Sequence, residues 1–134
     1  MEPLIIPPTQ SSPEIVFDPD KRNFSVTGVS RPEDVRSFYY PVLEWLKRFK
    51  EQEIKTGEIA FGKDDPLNIH IKLKYFNSSS AKFLFDIFMG FGELSEENQT
   101  VKIFWHYDAG DDDMVDAGEE MSEIAGIPFE FVEN

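Results

Sequence analysis

The chain reads as one α/β domain: a single mixed β-sheet of about 4–5 strands with three main helices on one face. Three observations predict this. Leu67 to Tyr75 alternates apolar and polar residues with period two, and Val101 to Tyr107 repeats the arrangement. Strands of a sheet covered on both faces would instead be apolar throughout, so one face of this sheet is open to water. The segments that flank these strands carry apolar residues at helical spacing. The order of elements is β-β-α-β-α-β-α-β, and the apolar Ile59, Ala60 and Phe61 have the composition of a short extra strand.

Residues 1–134 form the single domain, with Met1 to Ser12, which is Pro-rich, expected to be an irregular N-terminal segment. Ile15 and Phe17 alternate, Asp18 to Asn23 has turn composition, and Phe24, Val26 and Gly28 continue on a return strand, which makes a hairpin. Ser30-Arg31-Pro32-Glu33 has the form of a capping box. It precedes a helical stripe of Val35, Phe38, Tyr39, Val42, Leu46 and Phe49. Pro41 removes an N–H and crowds the carbonyl four residues back, so a kink or restart is expected there and an end near Lys50. Glu51 to Pro66 is a long polar connector.

The junction after the first alternating strand holds the most informative stretch, Asn77-Ser78-Ser79-Ser80-Ala81-Lys82. Three hydroxyls sit where a strand hands over to a helix, and the unpaired N–H groups and positive dipole end there favour an anion. Two readings stand: a phosphorylation switch, or an ordinary N-cap, for which Ser and Asn are common. In the helix from Ala81 to Phe91 only Lys82 and Asp86 are charged, at i,i+4 spacing. A helix on one side of an open sheet should have a clear polar stripe. Either neighbouring helices bury it, or the part near the serines binds a partner, with Phe76, Phe83 and Ile87 as candidate contacts. Gly90 and Gly92 are expected to loosen its end, and Glu93 to Thr100 to return to the sheet.

In the last third, Asp108, Asp111, Asp112, Asp113 and Asp116 precede Glu119, Glu120 and Glu123. Their spacing does not fit a calcium loop, so no metal is expected, and aspartates at a helix start suit its dipole. Met114, Ala117, Met121 and Ile124 form a core stripe, Gly126 is a C-terminal cap, and Pro128 to Val132 is a final strand. His70 and His106 fall on the polar strand faces and read as surface residues, two ligands being too few for a metal site.

Composition narrows the function classes. With 134 residues, 40% hydrophobic and 13 Phe, the chain has material for a core and is not a disordered segment. The absence of cysteine excludes disulfides, a cysteine nucleophile and thiolate metal sites. No apolar run spans a membrane and the N-terminus lacks a signal-peptide pattern, which points to the cytoplasm. A net charge of −13 argues against nucleic acid and against an anionic membrane surface, and is compatible with solubility alone or with a basic protein partner. No cofactor is implied.

Segments along most of the chain carry a family pattern: Gly28 to Glu33 with Leu43-Glu44-Trp45, Tyr75 to Lys82 with Asp86-Ile87, and Trp105 to Asp113 with Ala117 to Glu120 and Pro128-Phe129. The chain resembles the SiaC-type regulatory phosphoproteins of bacteria, which are STAS-like in fold and anti-anti-sigma-like in logic. The resemblance implies a non-enzymatic partner-switching protein. A cognate Ser/Thr kinase phosphorylates the hydroxyl residue after the Asn, here Ser78, and a PP2C-like phosphatase removes the phosphate. Asn77, Ser79, Ser80 and Lys82 then support the phosphosite loop. It further implies that the unphosphorylated form binds an effector such as a diguanylate cyclase, in cyclic-di-GMP signalling and biofilm control. Ser78 stands where some relatives have Thr, Arg31 where Tyr is common, and the connector before Leu67 is longer than usual. The alternatives are a constitutive acidic adaptor and a small carboxylate-dependent hydrolase, the latter requiring carboxylates that converge in a pocket.

Overall fold

A computed structural model describes residues 1–134. The strands are β1 (Leu4–Ile6), β2 (Glu14–Asp18), β3 (Asn23–Ser30), β4 (Leu67–Phe76), β5 (Val101–Tyr107) and β6 (Phe129–Glu133). The helices are α1 (Val35–Phe49), α2 (Ser78–Glu96) and α3 (Asp112–Ala125). All six strands form one sheet in chain order, antiparallel from β1 to β3 and parallel from β3 to β6. Parallel neighbours need crossovers, and right-handed crossovers that all step the same way put every helix on the same face. The mixed sheet and one-sided helices match the sequence expectation. No helix is long and apolar enough to cross a membrane.

The period-two pattern explains the core. Ile15, Phe17, Phe24, Val26, Leu67, Ile69, Ile71, Ile103 and Trp105 point to the helical side and are buried, while Val16, Ser25, His70, Phe104 and His106 lie half-exposed on the open face. Aromatic rings fill the space under α1: Phe17 stacks on Phe24 at 5.3 Å, and Trp45 on Phe49 at 5.1 Å. Helix α2 lies between α1 and α3 and over the sheet, which is why it is apolar almost all round.

Several local expectations are corrected. The sheet has six strands because Leu4–Ile6, read as irregular, pairs with Ile15–Phe17. Leu4 and Ile6 share the core-facing parity of Phe17 and Ile15 and are partly buried by the pairing. Ile59, Ala60 and Phe61 form no strand. The Phe61 ring is buried, and its backbone bonds the Gln99 side chain at 2.7 Å and the Thr100 N–H at 2.8 Å, single ties and no ladder. The capping box is not used: Ser30 ends β3, and Asp34 caps α1 by accepting from the Ser37 N–H at 3.1 Å. Helix α1 runs through Pro41 without a restart, its proline on the exposed side where water can solvate the freed carbonyl. Beyond Phe49 the chain continues as a π-helical turn, Lys50–Ile54, which tucks Ile54 into the core. Helix α2 extends past Gly90 and Gly92 to Glu96, held by buried Phe91 and Leu94.

A register shift matters for the site. Gly28 pairs with Leu73, but Val29 pairs with Tyr75, so Lys74 is an extra residue on β4. After it the faces exchange. Tyr75, expected on the apolar face, is 50% exposed, and Phe76 turns inward to meet the Trp105 ring edge-on at 6.0 Å.

Helix α3 is drawn tightly onto β5. The Trp105 indole N–H donates to the Met114 carbonyl at 2.9 Å, and a Cβ placed on Gly118 would sit 2.6 Å from the same indole and 2.8 Å from the Phe131 ring. Gly118→Ala therefore combines overpacking of about 1–3 kcal/mol with a helix-propensity gain of about 1 kcal/mol. The expected outcome is a net loss of up to about 2 kcal/mol in denaturant unfolding. A raised midpoint would contradict the close approach.

Candidate functional site

The strand β4 to helix α2 junction is built from main-chain and side-chain bonds. Asn77 has extended backbone (φ −87°, ψ 173°), and its side-chain oxygen accepts from the Ser80 N–H at 2.9 Å. The capping side chain is thus Asn77. Its own N–H donates to the Ser30 carbonyl at 3.0 Å, which ties the start of α2 to the end of β3.

The three serines are not equivalent. Ser78 and Ser79 are exposed, while Ser80 is completely buried. Ser80 Oγ donates to the Ser30 carbonyl at 3.0 Å and accepts from Ser30 Oγ at 2.8 Å, and Ser30 Oγ meets the Tyr39 hydroxyl at 2.6 Å. Burial pushes the Tyr39 hydroxyl up to about 12, against the smaller opposing effect of its hydrogen bonds. It stays protonated at neutral pH and available as a donor.

Ser78 and Ser79 line a depression of about 390 Å³ with Val35, Arg36, Tyr40, Lys82 and Phe83. Arg36 and Lys82 are its cations, in a chain of net charge −13. Lys82 pairs with Asp86 at 3.3 Å as the spacing predicted, lies over the Phe83 ring at 4.7 Å, and is mostly exposed. Sequence reasoning passed over Ser30, Tyr39 and Arg36. The available signal was parity: Ser30 and Tyr39 are polar groups at core-facing positions of a strand and a helix stripe.

The candidate partner contacts are redistributed. Ile87 is fully buried and Phe83 is 5% exposed, because positions 83, 84, 87, 88 and 91 of α2 face the core. Neither can anchor a partner, except through the edge of Phe83 that reaches the serine depression. Phe76 does line an accessible apolar groove between α2 and α3, with Ala81, Phe85, Ala117, Met121 and Ile124. Ile124, read as part of the core stripe, is 61% exposed on the rim. Lys82 borders both the groove and the serine depression.

The acidic residues do not converge. Asp111 caps α3 by accepting from the Met114 N–H at 3.1 Å, Asp112 and Asp113 lie in its first turn, and Asp116, Glu119, Glu120 and Glu123 are exposed along it. No group of three or more His, Asp or Glu is close enough to hold a metal ion.

His70 and His106 meet on the open face. Nδ1 of one and Nε2 of the other are 2.9 Å apart, Phe104 stacks on His70 at 4.8 Å, and Asn134 Oδ1 is 3.3 Å from His106 Nδ1. Burial lowers both pKa values, with His106 and Lys72 adding to the effect on His70, and Lys72 to that on His106 against the Asn134 bond. With folded values below 6.5, unfolding takes up protons in this range. The pair's contribution is complete above about pH 6.5 and is lost as pH falls through the folded values. Stability should therefore drop as pH falls below about 6.5, and a His70→Asn/His106→Asn double variant should flatten that slope. Denaturant unfolding at several pH values measures it, and equal slopes would exclude the pair as the cause.

Residues 6–134 match a family described as SiaC family regulatory phosphoprotein. An uncharacterized protein of Pseudomonas aeruginosa (strain UCBPP-PA14) is 33% identical over 129 residues, 96% of this chain and 94% of that one. The fold is similar to the crystal structure of apo-SiaC from Pseudomonas aeruginosa, with a TM-score of 0.79 and 30% identity over 100% of this chain and 99% of the other. It is also similar to a chain in the crystal structure of the diguanylate cyclase SiaD in complex with its activator SiaC from the same organism. There the TM-score is 0.82 and the identity 30%, over 98% of this chain and 99% of that one.

Proposed function

The chain belongs to the SiaC family of regulatory phosphoproteins, and we propose that it is a non-enzymatic protein-binding switch whose phosphoacceptor is Ser78. Its unphosphorylated form engages an effector of the diguanylate cyclase class, as in the complex of the related SiaC with SiaD. A cognate Ser/Thr kinase and a PP2C-like phosphatase set the state, which links the chain to cyclic-di-GMP signalling. The asymmetry of the serine run supports the residue assignment in part: Ser80 is sealed in the core, while Ser78 and Ser79 lie outside next to Arg36 and Lys82. The choice of Ser78 over Ser79 rests on the family resemblance, which puts the phosphate on the hydroxyl after the Asn.

The mechanism is electrostatic. Phosphate adds about −1.5 to −2 charge and strong acceptor oxygens at a helix N-terminus, where free N–H groups and the dipole receive it. Lys82 lies between the acceptor and the apolar groove, so a phosphate on Ser78 competes with Asp86 for it and changes the charge at the groove rim. A partner surface matched to the neutral hydroxyl would then bury a poorly paired dianion, which is costly. The carboxylates of the last third are strung along α3, with Asp116, Glu119, Glu120 and Glu123 exposed, which counts against the hydrolase alternative.

Phosphosite mapping after incubation with the cognate kinase and ATP tests the assignment: phosphate is expected on Ser78. Ser78→Ala should fold with a stability change within about 0.5 kcal/mol, since the side chain is exposed and Asn77 supplies the cap. It should bind the effector as the unmodified protein does and resist the kinase. Phosphorylation should weaken effector binding by about tenfold or more, and Ser78→Asp by less, having less charge and fewer acceptors. Phosphate found elsewhere refutes the residue. A native chain whose effector affinity is unchanged by treatment with the kinase and ATP leaves a constitutive adaptor.

A further inference from the structure

Three hydroxyls sit beneath the acceptor turn, and no partner can reach them: Ser30, Tyr39 and Ser80 are each 0% exposed. Their linkage has a direction. Ser80 Oγ donates to the Ser30 carbonyl and Ser30 Oγ donates to Ser80 Oγ, at 3.0 and 2.8 Å. Each hydroxyl carries a single proton, so the proton in the 2.6 Å contact belongs to Tyr39. The chain runs from α1, through the last residue of β3, into the first turn of α2. The carbonyl that ends it also accepts the Asn77 N–H, and Asn77 in turn holds the Ser80 N–H. Residues 77–80 are therefore fastened at both ends to the Ser30 carbonyl, and the Ser30 hydroxyl, itself bonded by Tyr39, orients the Ser80 Oγ that makes the second tie.

We propose that this hydroxyl chain is a latch that positions the acceptor turn: it withholds Ser80 from modification and keeps Ser78 outward, which makes Tyr39 and Ser30 positioning residues for phosphorylation. The inference rests on the reading of Ser78 as the acceptor. The geometry of a helix gives it force. Residues two apart are about 200° apart around the axis, so locking Ser80 into the core turns Ser78 to the opposite side. Packing alone does not account for the hydroxyls. The Tyr39 ring stacks on Phe83 at 5.6 Å and 7°, a contact that phenylalanine would keep, and the hydroxyl's partner is Ser30. Three buried hydroxyls must satisfy one another, whereas apolar side chains of similar shape would fill the space without that requirement.

Two measurements on the full chain test the latch, with Tyr39→Phe, which preserves shape, and Ser30→Ala. In hydrogen exchange of the unphosphorylated protein, the amides of residues 80–83 should exchange about tenfold or more faster in both variants, the scale on which one buried hydrogen bond shifts a local opening. The amides of β3, β4 and β5 should keep their protection. After incubation with the cognate kinase and ATP, phosphate confined to Ser78 in the native chain should appear in part on Ser80 in the variants. Unchanged exchange, exchange raised equally throughout the chain, or phosphate still confined to Ser78 after the turn has loosened would each overturn the latch. A native chain that takes no phosphate on Ser78 overturns the acceptor reading itself, and shows this separately from the exchange result. If Ser30→Ala fails to fold, the isosteric Tyr39→Phe decides both measurements.

Discussion

A sheet of six strands covered from one side imposes most of what is distinctive here. Four parallel strands in chain order force three crossovers that step the same way, and their common hand lays all three helices on one face. The middle helix then has the sheet beneath it and a helix on either flank. Its sequence responds with Phe83, Leu84, Ile87, Phe88, Phe91 and Leu94 buried, while Phe85 and Met89 stay partly open to solvent. The N-terminus of that helix emerges at the carboxyl ends of β3 and β4, the part of a parallel sheet where α/β proteins commonly place their sites. A single extra residue, Lys74, aims the junction: it turns Phe76 inward and delivers Asn77 to the Ser30 carbonyl.

The electrostatics of the junction differ from those of the rest of the surface. The chain has 26 acidic against 13 basic residues, and α3 carries carboxylates with no lysine or arginine at all. Against that background Arg36 and Lys82 beside Ser78 form a local exception. Exposed ion pairs are individually weak, so the Lys82–Asp86 pair contributes little to the stability of the fold. Its weakness suits the change of partner that the proposed phosphorylation of Ser78 would require of Lys82.

The opposite face of the sheet follows another logic. His70, Phe104 and His106 make a half-buried patch that no helix covers. The two imidazoles satisfy each other in the neutral state, and the adjacent Lys72 disfavours their protonation. Cross-strand pairing between β4 and β5 brings these residues together, although 36 positions separate them in the chain.

What the sequence determined by itself was the periodicity of its main strands and helices and the place of the strand-to-helix junction. Alternation in Leu67–Tyr75 and Val101–Tyr107 specified strands with one wet face. Stripes at helical spacing specified α1 and α3, and the serine run after a strand specified the junction. The family pattern around Asn77-Ser78 pointed at a regulatory phosphoprotein before any contact was known. Tertiary structure decided what depends on residues far apart in the chain. Leu4–Ile6 became a strand because β2 offered it an unpaired edge, which the Pro-rich composition of the segment does not announce. Phe83 and Ile87, read as candidate partner contacts, are buried, because an apolar helix does not reveal by sequence which of its sides the neighbours cover. Ser80 parted from Ser78 for the same reason. The two differ by a rotation about one helix axis, and the way that helix faces is set by residues far away in the chain, among them Ser30 and Tyr39, 50 and 41 positions earlier.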